Sequence, residues 1–242
     1  MVKVLIFRGP GTNCDKETEY AFKISGANVE SVYIKRLIEN KKILRNSQII
    51  AIPGGFTFGD DLGAGKVFSI LLKNFLFDEL SDFIQKGNLI IGICNGFQIL
   101  VKTGILPDLS GKQSLTLTTN KSGMFYDGWV KLKVVNRETP FLIGIDEIYL
   151  PVANKEGRLI FKDDESRKKI IDEGLIALKY DGFNPSGSEL DIAGITDRTG
   201  RILGLMPHPE RNIFEHSHPE WKKGKISGEG LKIFKNAIQY FR

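Results

Sequence analysis

The segment Asn88-Leu89-Ile90-Ile91-Gly92-Ile93 has almost no polar residue on either of its alternating faces. A strand with one wet face alternates apolar and polar positions. One that is oily on both faces needs cover on both, as in a parallel sheet packed between helices. Val2–Phe7 and Gln48–Ile52 read in the same way, and Val29–Ile34 is a further strand. Helical spacing occurs near Asp15–Ser25, over Val67–Gln85 and over Asn95–Lys102. From about Leu115 the texture changes to alternating, hairpin-like strands at Val130–Val135, Glu147–Leu150, Leu159–Phe161 and Leu175–Tyr180. Ile192–Thr196 and Arg201–Leu205 then flank Asp197-Arg198-Thr199-Gly200, a good hairpin turn. An amphipathic helix around Glu229–Phe241 follows. With no linker, low-complexity tract or internal repeat, residues 1–242 read as one α/β domain. Its expected form is a largely parallel sheet with helices on both faces and an added antiparallel region.

A chain of 242 residues that is 41% hydrophobic can bury a sizeable core. No apolar stretch approaches the roughly 18–20 residues needed to span a bilayer, so no membrane segment is expected. The N-terminal MVKVLIFRGP lacks a signal peptide's apolar region and cleavage site, and two cysteines are too few for a disulfide framework. Reduced thiols and a cytoplasmic location are the expectation. The net charge of +5 invites a nucleic-acid reading. The basic runs argue against it: Lys41-Lys42, Arg167-Lys168-Lys169 and Lys222-Lys223 are short, scattered and interleaved with acids, with no aromatic recognition motif. Two phosphate motifs also fail. A Walker loop ending at Gly65-Lys66 would need glycine at Asp60 and Ser or Thr at Val67, and a dinucleotide fingerprint opening at Gly9 meets Cys14 in place of its third glycine.

Cys94 stands where the buried strand gives way to a helix. There it projects above the sheet edge, where unpaired N–H groups and the helix dipole favour a thiolate. Gly92 and Gly96 flank it at the G-x-nucleophile-x-G spacing of a nucleophile elbow. The amide of Asn95 would then point at an oxyanion formed on a substrate carbonyl. A lone cysteine between strand and helix is more often inert; the two glycines and the strand–helix context reverse that reading.

A thiolate nucleophile wants a histidine, and only His208, His216 and His218 exist. His-Pro-Glu occurs twice, at 208–210 and 218–220. Residues i and i+2 of an extended segment face the same way, so either copy would let a glutamate orient an imidazole. His208 follows directly on an apolar strand, whereas His218 is expected on a polar surface loop, which favours His208 and Glu210. A metal site at His216 and His218 lacks a cysteine or third histidine nearby, so no metal is expected. Pro53-Gly54-Gly55-Phe56 follows another buried strand, on the same sheet edge as Cys94. Gly54 or Gly55 would supply a second oxyanion amide, or the loop is a plain turn.

Gly92-Ile93-Cys94-Asn95-Gly96-Phe97-Gln98 with Pro207-His208-Pro209-Glu210 resembles the class I (triad) glutamine amidotransferases, whose fold is flavodoxin-like. More narrowly, the chain is similar to the family of glutaminase subunits of phosphoribosylformylglycinamidine synthase. That match rests on Gly11-Thr12-Asn13-Cys14-Asp15, Pro53-Gly54-Gly55-Phe56-Thr57-Phe58-Gly59-Asp60, Asn95-Gly96-Phe97-Gln98 and Met206 to Arg211. The resemblance implies that Cys94 attacks the side-chain amide of L-glutamine while His208, oriented by Glu210, relays the proton. Gly54 or Gly55 and Asn95 would hold the oxyanion, and Gln98 would help to hold the substrate. It implies no cofactor in this chain. A partner synthetase subunit, with a small third subunit, would use ATP and Mg²⁺ to amidate formylglycinamide ribonucleotide. Where the family commonly has histidine and arginine, this chain has Asn154 and Gly63. Two other readings stand beside this one: a different cysteine-elbow hydrolase, and a non-catalytic assembly subunit, which loss of a triad residue would have favoured.

Overall fold

A computed structural model describes residues 1–136, 138–224 and 228–242. Its first half alternates strands and helices: β1 (Lys3–Arg8), α1 (Asp15–Ile24), β2 (Asn28–Tyr33), α2 (Ile34–Glu39), β3 (Ile49–Ile52), α3 (Lys66–Phe75), α4 (Phe77–Gln85), β4 (Leu89–Ile93) and α5 (Asn95–Thr103). The second half is richer in strands: β5 (Leu115–Thr118), β6 (Tyr126–Val134), β7 (Glu147–Asn154), β8 (Arg158–Phe161), α6 (Asp164–Asp172), β9 (Ile176–Tyr180), β10 (Ile192–Thr196), β11 (Ile202–Leu205) and α7 (Leu231–Gln239).

Among the described residues, nine strands form one sheet in the order β2-β1-β3-β4-β11-β10-β9-β6-β7. The pairs from β2 to β11 are parallel, and those from β11 to β7 are antiparallel. The 2-1-3-4-5 arrangement of the parallel half is the flavodoxin-like order. The step from β1 to β2 runs one way along the sheet and that from β3 to β4 the other. Right-handed crossovers therefore place α1 and the α3–α4 pair on opposite faces. α1 packs with α7, and α3 with α5. Phe22 and Phe234 meet edge to face at 4.9 Å to join the first pair, a contact of about 0.5–1.5 kcal/mol beyond burial. β3 and β4 are buried along their whole length, as their two-faced apolar sequences require.

Several boundaries differ from the sequence reading. The helix expected over Val67–Gln85 breaks at Leu76, whose φ of −131° leaves the helical region while its side chain is fully buried. Ile34 opens α2 instead of ending a strand. α6 was not foreseen, although Asp163 caps it by accepting a hydrogen bond from Ser166 N. Leu159–Phe161 lies outside the large sheet: β8 pairs with β5 alone. β6 starts earlier and β7 ends later than expected, because Tyr126 pairs with Asn154 at the far end of a long hairpin. Among the described residues no helix is long and apolar enough to cross a membrane.

Candidate active site

The loops after β1, β3, β4 and β11 emerge at the carboxyl edge of the parallel strands, where open α/β sheets bind their ligands. Cys94 follows β4 directly. Its N–H donates to Leu205 O at 2.8 Å, which extends the β4–β11 ladder, and the next residue begins α5. Its φ of 51° and ψ of −105° are strained for a residue with a side chain, the kind of backbone that persists at functional turns. The flanking glycines are sterically required. A Cβ on Gly96 would lie 1.8 Å from Ile52 O, and one on Gly92 would lie 2.5 Å from Leu100 Cδ1. The elbow therefore exists because β3 and α5 come this close.

His208 is 2% exposed and its Nδ1 is 2.6 Å from Glu210 Oε1. The two are held by a tight turn over Pro209–Arg211, not by an extended segment as the sequence suggested. Proline fixes φ at the first position of that turn, which curls Glu210 back under the imidazole. Burial pushes the His208 pKa down, but the Glu210 carboxylate, then Cys94 and Cys14, outweigh it and hold it well above the usual imidazole value. Nε2 has no hydrogen-bond partner, and the ring's interacting neighbours beyond Glu210 are the thiols of Cys94 and Cys14. Gly54 sits where these groups converge. A Cβ there would lie 2.8 Å from His208 Cε1, 3.1 Å from Cys14 Sγ and 3.4 Å from Cys94 Cβ. Gly55, with φ 147°, pairs across to Thr12 and locks this loop onto the loop after β1.

Cys94 opens into a cavity of about 230 Å³ whose walls include Gln98, Asp60, Glu156, Phe56 and Phe125. A hydrogen-bonded chain stiffens one wall. Thr57 Oγ1 donates to Asn95 Oδ1 (2.6 Å), Asn95 Nδ2 to Gln98 Oε1 (2.9 Å), and Gln98 Nε2 to Glu156 O (2.6 Å). Gln98 thus lines the cavity, and it also ties α5 to the segment after β7. Burial pushes the Asp60 carboxyl up and the Lys102 amine down. Asp60, Glu156, Cys14 and Arg211 were not singled out from the sequence as site residues. Asp60, Cys14 and Arg211 each lie within a motif that carries the resemblance, but no role is read for them from the sequence. A wider groove of about 700 Å³ beside α2 and α4 is lined by Lys41, Glu79, Lys86 and Asn88; Asn88 precedes β4 whereas Cys94 follows it, and the lining holds no cysteine, serine, threonine or histidine.

The second His-Pro-Glu copy is built differently. His218 was expected on a polar surface loop, but it is 5% exposed and its ring lies 5.2 Å from Trp129 and 5.0 Å from Tyr149. Its Nδ1 accepts from Glu220 N, while the Glu220 carboxylate pairs with Lys223. The aromatic pair on β6 and β7 supplies the cover that the loop's own polar sequence hid. His216 stacks on Phe214 instead. Among the described residues, the one group of three potential metal ligands is Cys14, His208 and Glu210, whose donor atoms lie within 4.8 Å of one another.

The CobB/CobQ-like glutamine amidotransferase domain matches residues 1–241. Phosphoribosylformylglycinamidine synthase subunit PurQ of Dehalococcoides mccartyi is 46% identical, with 100% of this chain and 98% of that protein covered. The protein of the same name from Methanococcus maripaludis (strain C7) is 40% identical over 99% of this chain and 97% of that one. Among solved structures, a chain of PurLQS from Thermotoga maritima matches with a TM-score of 0.79 and 31% identity, covering 100% of this chain and 99% of that one. A glutamine amidotransferase from the same organism shares the fold at 17% identity and a TM-score of 0.52, over 99% of this chain and 95% of that one. An unrelated cysteine-elbow hydrolase is therefore excluded: the chain belongs to the CobB/CobQ-like glutamine amidotransferases and, among them, to the PurQ family.

Proposed function

We propose that this chain is the glutaminase subunit of a phosphoribosylformylglycinamidine synthase. It hydrolyses L-glutamine through a thioester on Cys94 and delivers ammonia to a synthetase subunit. The observation that carries the reading is the strained Cys94 backbone at the start of α5, beside a buried His208–Glu210 pair held at 2.6 Å. In the proposed sequence His208 takes the Cys94 proton and the thiolate attacks the amide carbon of glutamine. The N–H of Asn95, one of the unpaired donors that open a helix, and that of Gly54 or Gly55 receive the oxyanion. Collapse of the intermediate breaks the C–N bond, and His208 returns its proton to the departing ammonia. Water then attacks the thioester with His208 as base, which releases glutamate and restores the thiol. Glu210 holds the ring by its Nδ1 throughout. Gln98 keeps the cavity wall in place around the substrate.

The partner is part of the same proposal. Phe56 and Phe125 are half exposed at the cavity, and Leu62, six residues after Phe56, and Met124, adjacent to Phe125, are 72% and 70% exposed. An apolar rim of this kind suits a surface that another protein covers. The synthetase subunit would use ATP and Mg²⁺, with a small third subunit completing the assembly; the name PurLQS, given to the Thermotoga maritima structure, is consistent with three components. Both steps belong in the cytoplasm. Glutamate release from glutamine is the test, measured for this chain alone and with the synthetase present, alongside formation of the amidated ribonucleotide. Synthesis should require the partner, and ammonia should replace this chain. A chain that amidated the ribonucleotide alone would refute the subunit reading, and an assembly that released no glutamate would refute the glutaminase one.

A further inference from the structure

We propose that Cys14 is a positioning residue for His208: its sulfur, held by Arg211 and Asn13, fixes the imidazole that serves Cys94. The inference rests on the glutaminase reading above and concerns a residue which that chemistry leaves unused.

Cys14 caps α1 and is 1% exposed. Its backbone is tied on both sides: its N–H donates to Gly54 O at 3.2 Å, and its carbonyl accepts from Thr18 Oγ1 at 2.7 Å. The sulfur donates to Asn13 Oδ1 at 3.2 Å and accepts from Arg211 Nη2 at 3.1 Å. It also lies within 4.8 Å of the donor atoms of His208 and Glu210. A thiol has one hydrogen to give. With that hydrogen turned to Asn13, the sulfur presents lone pairs to the ring. Lone pairs attract an imidazolium, so the contact favours the state that His208 reaches when it takes the Cys94 proton.

The ring needs a second restraint. Glu210 bonds Nδ1 alone, and one hydrogen bond leaves the imidazole free to swing about it. Gly54 packs from one direction: a Cβ there would lie 2.8 Å from His208 Cε1 and 3.1 Å from Cys14 Sγ, so ring and sulfur border the same small space. The groups that set the ring's charge come from three elements: Glu210 from its own turn, Cys94 from the start of α5 and Cys14 from the cap of α1. Arg211 and Glu17, 3.8 Å apart, stand behind Cys14. A guanidinium near an imidazolium is unfavourable, and its contact with the sulfur draws this one onto Cys14. Buried as it is, and absent from the cavity walls, Cys14 is not placed to attack substrate itself.

The test uses the chain assembled with its synthetase partner and compares the parent with Cys14→Ala and Cys14→Ser. Glutamate release is measured across pH, with ammonia-dependent synthesis as the control for folding and docking. Cys14→Ala should lower kcat for glutamine by about ten- to a hundredfold, change KM little, and move the alkaline limb of the pH profile to lower pH. Ammonia-dependent synthesis should be unchanged. Serine can give its hydrogen to Asn13 and still present lone pairs, so Cys14→Ser should recover most of the rate and return the limb towards the parent's. Cys14→Val, apolar and near cysteine in volume, repeats the test if the alanine variant does not fold. An apolar variant with the parent's pH profile would overturn the proposal, as would a serine variant as slow as alanine with an unmoved limb. The pH dependence of Cys94 alkylation by iodoacetamide reads the same contact without turnover. A parent assembly that releases no glutamate therefore sinks the glutaminase reading, while the alkylation profile still decides on Cys14.

Discussion

Gly54→Ala isolates the geometry on which the proposed chemistry depends. Gly54 does not adopt a positive φ, so an alanine there meets no backbone penalty, unlike one at Gly55. What it meets is the site. Its Cβ would sit 2.8 Å from His208 Cε1, where ordinary contact begins at 3.4 Å, so the ring must retreat by about 0.6 Å. Its Nδ1 is pinned by Glu210 at 2.6 Å, and most of the retreat becomes a swing of Nε2 relative to Cys94. Displacing a reacting group by 1 Å costs about 10²-fold in rate. On that scale the His208 shift alone costs about tenfold, and the closer approach to Cys14 Sγ and Cys94 Cβ takes the expected loss in kcat towards a hundredfold. Glutamate release by the assembled enzyme measures it, with ammonia-dependent synthesis as the control that should not change. A Gly54→Ala enzyme within about threefold of the parent kcat would show that His208 is not held as tightly as described.

Three further outcomes follow from the same geometry. His208→Ala should cut glutamine hydrolysis by about 10²–10⁴-fold and spare ammonia-dependent synthesis, whereas His218→Ala should stay within a few-fold of the parent rate yet lower the melting temperature, since its buried ring packs against both Trp129 and Tyr149; an inactive His218 variant beside an active His208 variant would reverse the assignment. A glutamine-analogue electrophile should label Cys94 and leave Cys14 unmodified, as peptide mapping will show, because only Cys94 lines the cavity. Glu210→Gln removes the charge that holds the His208 pKa up, so the alkaline limb of the rate profile should move to lower pH. A raised imidazole pKa stabilises the fold fully below the unfolded value of about 6.5 and progressively less as pH rises through the folded value, so the gap in melting temperature between parent and Glu210→Gln should be widest near pH 6 and close on the alkaline side.

The parallel half of the fold was legible because its signal is local. Two-faced apolar runs at Ile49–Ile52 and Leu89–Ile93 have one common use, and they occupy neighbouring positions in the sheet. The antiparallel half was read less well. Leu159–Phe161 has the composition of a strand in the large sheet, yet pairs with Leu115–Thr118 beside it; composition names a strand without naming its partner. The break at Leu76 was invisible for a similar reason. Its residues have good helical spacing, and the fully buried Leu76 leaves the helical region although Leu72 and Leu80, equally buried, do not. His218 failed in the opposite direction: its neighbours in sequence are polar, and the rings that bury it come from positions 129 and 149.

The site divides along the same line, and the division explains which residues a motif can reveal. Gly92 and Gly96 owe their spacing to one turn, so Cys94 and its elbow were readable within seven residues. Glu210 is readable too, although a proline-initiated turn, not strand alternation, brings it to His208. Gly54 and Cys14 have no such local logic. Gly54 is small because His208, Cys14 and Cys94 crowd one point from three other loops, and nothing within its own loop records that. From sequence Cys14 spoils a dinucleotide fingerprint and belongs to a motif of the resemblance, and neither says what it does. Its meaning lies 197 positions away, where the Arg211 that directly follows the triad glutamate donates to its sulfur. Local motifs thus disclose the groups that carry out the chemistry, while the groups that hold those groups in place are disclosed only by the fold that brings four strand ends to one edge.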